Sequence, residues 1–241
     1  MSASNKPRPA DRASFELLDP RLRAVVEELY RGACGYTVRC TPRRRTVRVE
    51  GPPELFGKWR RGSGRSGARE WHWLHVLPLM GLQVPRAVAW LGRRRRSLLV
   101  TEAVAGRPFD AWLVQAAAEG WLVELCEYAV RQVAPAIRRL HEHRIAYRDL
   151  YWNHVFVADP RNGDEPTFLD VERAFRPWWR WRRWAVKDLA GLLASLPVPV
   201  PPRWPLRFLR AYSGGAPLDP AWIDDIVAKA ARIRRHVPRY G

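Results

Sequence analysis

The stretch Tyr147-Arg148-Asp149-Leu150-Tyr151-Trp152-Asn153-His154 decides how this chain is read. It lies between two segments of different period. Upstream, Leu122, Leu125, Cys126, Ala129, Val130, Val133, Ile137 and Leu140 form one apolar stripe, and Glu124, Glu127, Arg131, Arg138 and Arg139 take the other side. That is the pattern of a long amphipathic helix, and Pro135 inside it predicts a kink. Downstream, Val155-Phe156-Val157 reads as a short apolar strand, and Pro166-Thr167-Phe168-Leu169-Asp170 as a second one ending on an aspartate. Two carboxylates at neighbouring loop ends, Asp149 and Asp170, backed by Arg148, can orient a hydroxyl and hold a divalent cation.

Towards the N-terminus the pattern changes. Residues 1–13 are polar and read as a mobile arm, and 14–32 as a short amphipathic helix with Asp19-Pro20 at its start and Leu22, Val25, Val26 and Leu29 on one face. Period-two alternation in 36–40 and 45–50 predicts a hairpin, and Glu54–Trp59 predicts a further strand. Gly62, Gly64 and Gly67 suggest a flexible loop, and 68–77 a helix that Pro78 helps to end. Two more strands are expected at Val84–Trp90 and Ser97–Val104, separated by arginines 93–96. From residue 109 the chain turns helical. The five prolines of 197–206 predict a loop, and Asp219-Pro220 opens a final helix with Trp222, Ile226, Ala230 and Ile233. The expected fold class is α+β: an arm over 1–13, a β-rich part over 14–104 and a mainly helical part over 105–241.

Composition narrows the function. The 241 residues carry 42 basic and 24 acidic side chains, a formal net charge of +18. Hydrophobic residues make up 47%, too many for a disordered basic tail. Cys34, Cys40 and Cys126 have no metal-ligand spacing and argue for a reducing compartment. No apolar run is long enough to span a bilayer, and the N-terminus lacks a secretory pattern, so a cytoplasmic protein is expected. A strong positive field points to polyanions: nucleic acid, nucleotide phosphate or an anionic membrane face. Only four of the basic residues are lysines, which draws attention to Lys58 and Lys187.

Phosphoryl transfer needs a basic side chain on the nucleotide phosphates, a carboxylate for Mg²⁺ and a second carboxylate for the nucleophile. Tyr147–Leu150 with His154, then Leu169-Asp170, resembles the catalytic and metal-binding loops of the protein-kinase superfamily. More narrowly, the chain resembles the lipopolysaccharide kinase (Kdo/WaaP) family, in which a histidine stands for the usual asparagine and an arginine follows the metal aspartate; here these are His154 and Arg173. The tail Trp184-Ala185-Val186-Lys187-Asp188-Leu189-Ala190, with Ser195, fits the same family.

The resemblance implies a protein-kinase-like two-lobed fold with ATP and Mg²⁺. Asp149 would orient and deprotonate the acceptor hydroxyl beside Arg148. Asp170 would hold Mg²⁺, with His154 or Asn153 as a second contact. Lys58, or Arg60 or Arg61 in its place, would meet the nucleotide phosphates, with Glu70 holding the lysine and Glu102 also on the nucleotide side. Asp188 would support the catalytic loop through its backbone. A glycine-rich loop is absent; the hairpin offers Thr41-Pro42-Arg43-Arg44-Arg45-Thr46 instead.

The run Arg173–Trp184 interleaves five arginines with four tryptophans and a phenylalanine. By position it is where an acceptor docks. Arg173, Trp178, Trp179, Arg180 and Trp181 are the candidate acceptor and membrane residues, because indoles suit the headgroup level and guanidinium groups meet lipid phosphate. Packing of the indoles on the protein, or stacking on single-stranded nucleic acid, would use the same composition. The expected function is an ATP-dependent kinase acting on a Kdo or heptose hydroxyl of a lipopolysaccharide-core or similar glycolipid at the inner face of the cytoplasmic membrane. The alternatives are a small-molecule or protein kinase of the same fold, and a pseudokinase or nucleic-acid-binding module; nucleic acid is the least favoured partner.

Overall fold

The computed structural model describes residues 14–61, 65–93 and 96–235. The expected arm, most of the glycine loop and part of the arginine run 93–96 lie outside them. The chain forms two compact units, one taking in the chain to His72 and Arg86–Ala103, the other Trp73–Pro85 and the chain from Val104.

The first unit is an antiparallel sheet of six strands: β1 (Ser14–Leu17), β2 (Tyr36–Thr41), β3 (Arg44–Val49), β4 (Leu55–Arg61), β5 (Ala87–Arg93) and β6 (Arg96–Glu102), in the order β1-β5-β6-β4-β3-β2. The helix expected over 14–32 is shorter, α1 (Arg23–Arg31), preceded by a 3-10 turn in which Asp19 accepts from the Arg21 amide. Ser14–Leu17 instead pairs with β5, Phe15 opposite Leu91. Four residues give too short a period to be read from sequence.

Helix α1 covers one face of the sheet, where Val26 and Leu29 pack with Val47, Leu55, Leu98 and Val100. The helix α2 (Arg65–Val76) carries Glu70. Gly67 lies inside α2 and not in a loop: a Cβ there would come 2.4 Å from the Trp90 ring, so glycine is required by close packing.

In the second unit β7 (Arg107–Pro108), β8 (Val155–Val157) and β9 (Thr167–Phe168) form a small sheet in the order β7-β8-β9. Trp73–Pro85 joins this unit, although 14–104 was expected as one part. Hydrogen bonds tie it there: the Phe168 amide donates to the Gln83 carbonyl at 2.8 Å, and Arg139 Nη2 donates to the Gly81 carbonyl at 3.0 Å. The helices are α3 (Phe109–Glu119), α4 (Leu122–Tyr128), α5 (Ala134–Glu142), α6 (Trp181–Ala194), α7 (Arg203–Tyr212) and α8 (Pro220–Arg235).

The expected kink at Pro135 takes the form of a π-turn over Ala129–Val133 that separates α4 from α5. Proline at the start of α5 supplies no N–H, and the widened turn absorbs the register change. The loop expected over 197–206 is overturned in its last residues, because α7 begins at Arg203 and includes Pro205. A proline in the first turn loses no helical hydrogen bond. None of the described helices is long and apolar enough to cross a membrane.

Burial pushes the Cys126 thiol up to about 11, whereas Cys40 is exposed. At mildly alkaline pH a thiol reagent should therefore label Cys40 in the native protein and reach Cys126 only after denaturation. Peptide mapping that found both labelled equally fast in the native state would contradict this packing.

Candidate active site

Helix α6 is the template for the loop that follows α5. Asp188 is 1% exposed. Its Oδ2 accepts from the Tyr147 amide at 2.6 Å and its Oδ1 from the Arg148 amide at 2.8 Å. Two consecutive amides reach one carboxylate because Arg148 is left-handed, with φ at 74°. Such a backbone costs about 1–2 kcal/mol in an L-residue, and each hydrogen bond to a charged group returns about 1.5–3 kcal/mol. His141 Nε2 lies 3.4 Å from Asp188 Oδ2, and its Nδ1 lies 2.8 Å from the Tyr212 hydroxyl. A neutral ring donating to the carboxylate and accepting from the tyrosine satisfies all three groups.

Three further residues of the α6 segment hold the same loop. Lys187 Nζ donates to the Arg148 carbonyl, Ser195 Oγ accepts from the Trp152 amide at 3.1 Å, and Gly191 faces the Leu150 carbonyl. A Cβ at Gly191 would come 2.4 Å from that oxygen. Gly191→Ala should therefore destabilise the fold by about 1–3 kcal/mol and lower phosphoryl transfer with it. Urea denaturation and turnover measured on the same protein check this; an unchanged midpoint would show that the loop is not clamped there.

The loop presents Asp149, whose side chain is 16% exposed. Arg173 Nη1 donates to its Oδ1 at 2.9 Å and its Oδ2 at 3.1 Å. His154 Nδ1 donates to the Asp149 carbonyl at 2.7 Å, which leaves Nε2 with the lone pair in the neutral ring. The Tyr147 hydroxyl donates to the Leu169 carbonyl, and the Leu169 amide donates to the His154 carbonyl at 2.8 Å. These bonds tie the loop to the strand end that carries Asp170.

Asp170 is itself left-handed, φ 62°, and starts a 3-10 turn over Val171–Arg173. Glu172 was missed in the sequence, where one glutamate two residues past an aspartate carries no signal. Its carboxylate and that of Asp170 offer oxygens within 4.8 Å of one another. A pair of hard oxygen donors fits Mg²⁺, which a histidine nitrogen suits less well. Asn153 is exposed.

In the first unit Lys58 on β4 and Glu70 on α2 meet as an ion pair, and Arg60, two residues along the same face, reaches the other Glu70 oxygen at 2.6 Å. Of Lys58, Arg60 and Arg61, the first two share the Glu70 carboxylate. The Glu70 side chain is 2% exposed. Breaking a buried pair costs about 3–5 kcal/mol, so Glu70→Gln should lose stability on that scale, read by chemical denaturation; a loss below about 1 kcal/mol would mean that water reaches the pair. Glu102, expected on the nucleotide side, accepts from Arg86 Nη1 at 2.7 Å. The β2–β3 hairpin turns at Pro42-Arg43, where Thr41 Oγ1 accepts from the Arg44 amide at 3.1 Å.

The basic aromatic run is divided. Trp181 packs edge-on to His141 with centroids 5.3 Å apart, and Trp184 edge-on to Phe175 at 4.9 Å. Trp178 and Trp179 stand out, 89% and 50% exposed, and the Arg180 guanidinium lies 4.1 Å from the Trp179 ring centroid.

A β-rich unit with a lysine–glutamate pair and a helical unit with an aspartate loop are the parts of a protein-kinase-like phosphotransferase fold. Solved structures share it. The chain resembles WaaP in complex with acyl carrier protein with a TM-score of 0.76 and 24% identity, over 91% of this chain and 99% of that one. It resembles an aminoglycoside-3'-phosphotransferase of type VIII with a TM-score of 0.60 and 22% identity, over 86% and 97%. Residues 55–212 match the profile of the lipopolysaccharide kinase (Kdo/WaaP) family, and the chain belongs to that family. It is 26% identical over 231 residues to the lipopolysaccharide core heptose(I) kinase WaaP of Escherichia coli (strain K12), covering 82% of this chain and 87% of that protein. As a member of a kinase family, the chain is a phosphotransferase.

Proposed function

We propose that the chain transfers the γ-phosphoryl group of ATP to a sugar hydroxyl, of Kdo or heptose, on a lipopolysaccharide core or similar glycolipid at the inner face of the cytoplasmic membrane. Family membership and the activity named for the Escherichia coli relative support the substrate class. The observation that carries the chemistry is the Asp149 carboxylate, beside Arg173, on a loop whose backbone α6 fixes. An acceptor hydroxyl bonded to Asp149 gives up its proton there as the phosphoryl group arrives. Arg148 anchors the loop, and His154 keeps the Asp149 carbonyl in place. Lys58, held by Glu70, meets the donor phosphates. Asp170 and Glu172 would hold Mg²⁺, which offsets negative charge on those phosphates.

The exposed pair Trp178 and Trp179, with Arg180 against it, supports docking on an anionic membrane. A basic acceptor segment also counts against cationic acceptors such as aminoglycosides, for which an acidic pocket is needed.

Asp149→Ala and Asp170→Ala should each lower phosphate transfer to core oligosaccharide, the former by about 10²–10⁴-fold, the range of a general base, with the melting temperature unchanged. Mass spectrometry of glycolipid from cells without the gene should show one phosphate lost. Undiminished transfer by Asp149→Ala would reject the mechanism. The absence of a thermal shift with millimolar Mg²⁺·ATP would favour a pseudokinase, and steeply salt-dependent binding to single-stranded nucleic acid without nucleotide would favour the binding module.

A further inference from the structure

A cavity of about 870 Å³ opens in the second unit between the loop after α5, the start of α6 and the face of α8. Neither Asp149 nor Asp170 lines it. Its walls carry seven cationic side chains, from Arg148 and Lys187 inside to Lys229 and Arg232 on α8, against one carboxylate, Asp225. That carboxylate is already paired with Arg182 at 2.8 Å. Clustering like charges is unfavourable, and its position adds to the cost. Helix α6 starts here with no side-chain cap and no acid in its first turn, and Arg182 and Arg183 occupy the positive end of its dipole.

The Arg148 guanidinium lies 5.7 Å from the Phe175 ring centroid and 5.6 Å from that of Trp184, and its Nε is buried without a hydrogen-bond partner. Burial pushes the Lys187 ammonium below the ordinary lysine range, although Asp188 and Asp149 oppose this. An anion entering the cavity would offset the clustered positive charge and the positive end of the α6 dipole.

We propose that this cavity binds phosphate groups already carried by the acceptor, so that the enzyme prefers a multiply phosphorylated saccharide. The proposal rests on the glycolipid-kinase reading above. Arg148 is the chain neighbour of Asp149, so the cavity and the proposed base are carried by the same loop. The volume lies in the range of sites for small ligands, well above the needs of a single phosphate.

The test uses the full chain and inositol hexakisphosphate as a soluble polyphosphorylated ring, with inositol as the neutral control. By calorimetry, Lys229→Ala/Arg232→Ala should weaken hexakisphosphate binding at least tenfold and leave Mg²⁺·ATP affinity unchanged, while inositol binds neither protein. Arg43→Ala/Arg45→Ala, on the exposed β2–β3 hairpin, should leave hexakisphosphate binding as it is. If the α8 double variant melts early, the single variant Arg232→Glu replaces it.

Equal affinity in wild type and α8 variant overturns the proposal. So does an equal loss in the hairpin variant, which would mean general polyanion binding, or a parallel loss of ATP affinity, which would mean a nucleotide site. In turnover, the α8 variant should raise KM for a phosphorylated core about tenfold and leave kcat, and KM for a dephosphorylated core, unchanged. The calorimetric result does not need turnover. A chain that binds hexakisphosphate through α8 but transfers no phosphate would refute the kinase reading and not the cavity.

Discussion

The carboxylate of Asp188 is the constraint on which the second unit turns. It is a buried charge, and a buried charge is tolerated only when hydrogen bonds surround it. Here the partners are two successive amides, of Tyr147 and Arg148, and the His141 ring. Meeting that demand forces Arg148 into a left-handed backbone. Once that is set, much follows. The Arg148 guanidinium turns to the Phe175 and Trp184 rings, the next side chain, Asp149, turns to Arg173, and the Arg148 carbonyl turns to Lys187. The stretch Lys187-Asp188 with Gly191 and Ser195 is thus one device, in which every member grips the backbone of residues 147–152.

Much of this was legible in the sequence, and the reasons differ by element. The α4–α5 stripe is long enough for its period to declare itself, and Pro135 announced the break. Strands β3 to β6 send Val47, Leu55, Ala89 and Leu98 into the core beneath α1, whereas β2 is exposed along its whole length. The stretch Tyr147–His154 stood out because its residues are close in sequence and their spacing is set by a loop of fixed shape. What stayed hidden was short or remote. Strand β1 has four residues, and β7 and β9 have two each. Trp73–Pro85 reads as the end of a helix and a turn, and it takes bonds such as those of the Gln83 and Gly81 carbonyls with Phe168 and Arg139 to tie it to the second unit. Glu172 has meaning only once the 3-10 turn brings it round to Asp170.

The net charge of +18 is unevenly placed. Many arginines are spent locally, on i,i+4 pairs such as Arg31 with Glu27 and Arg138 with Glu142, which contribute little at an exposed surface. Others lie over aromatic rings, Arg107 3.8 Å from the Trp112 centroid and Arg161 4.2 Å from that of Trp121. These account for composition without function. The cavity beside α6 is different in kind, since its cations share a single hollow whose one acid is already paired. Lysine is scarce in the chain, yet Lys187 sits half-buried at the junction of that hollow and the Asp149 loop. A single compact ammonium can reach a backbone carbonyl there that a planar guanidinium would have to approach edge-on.

The arginine three residues past Asp170 gains a mechanical meaning from the same geometry. In the protein-kinase pattern an apolar residue and a glycine follow the metal aspartate. Here a 3-10 turn follows, and it delivers the Arg173 guanidinium to both oxygens of Asp149. The segment that begins at Asp170 therefore also holds the Asp149 side chain. Tyr147 and His154 make the link from the other direction, through the Leu169 carbonyl and amide. The two carboxylates are thereby braced from both sides, so a shift of the strand end that carries Asp170 cannot leave Asp149 where it was. The roles proposed for the two carboxylates in one phosphoryl transfer would need this kind of fixed pair more than any one contact.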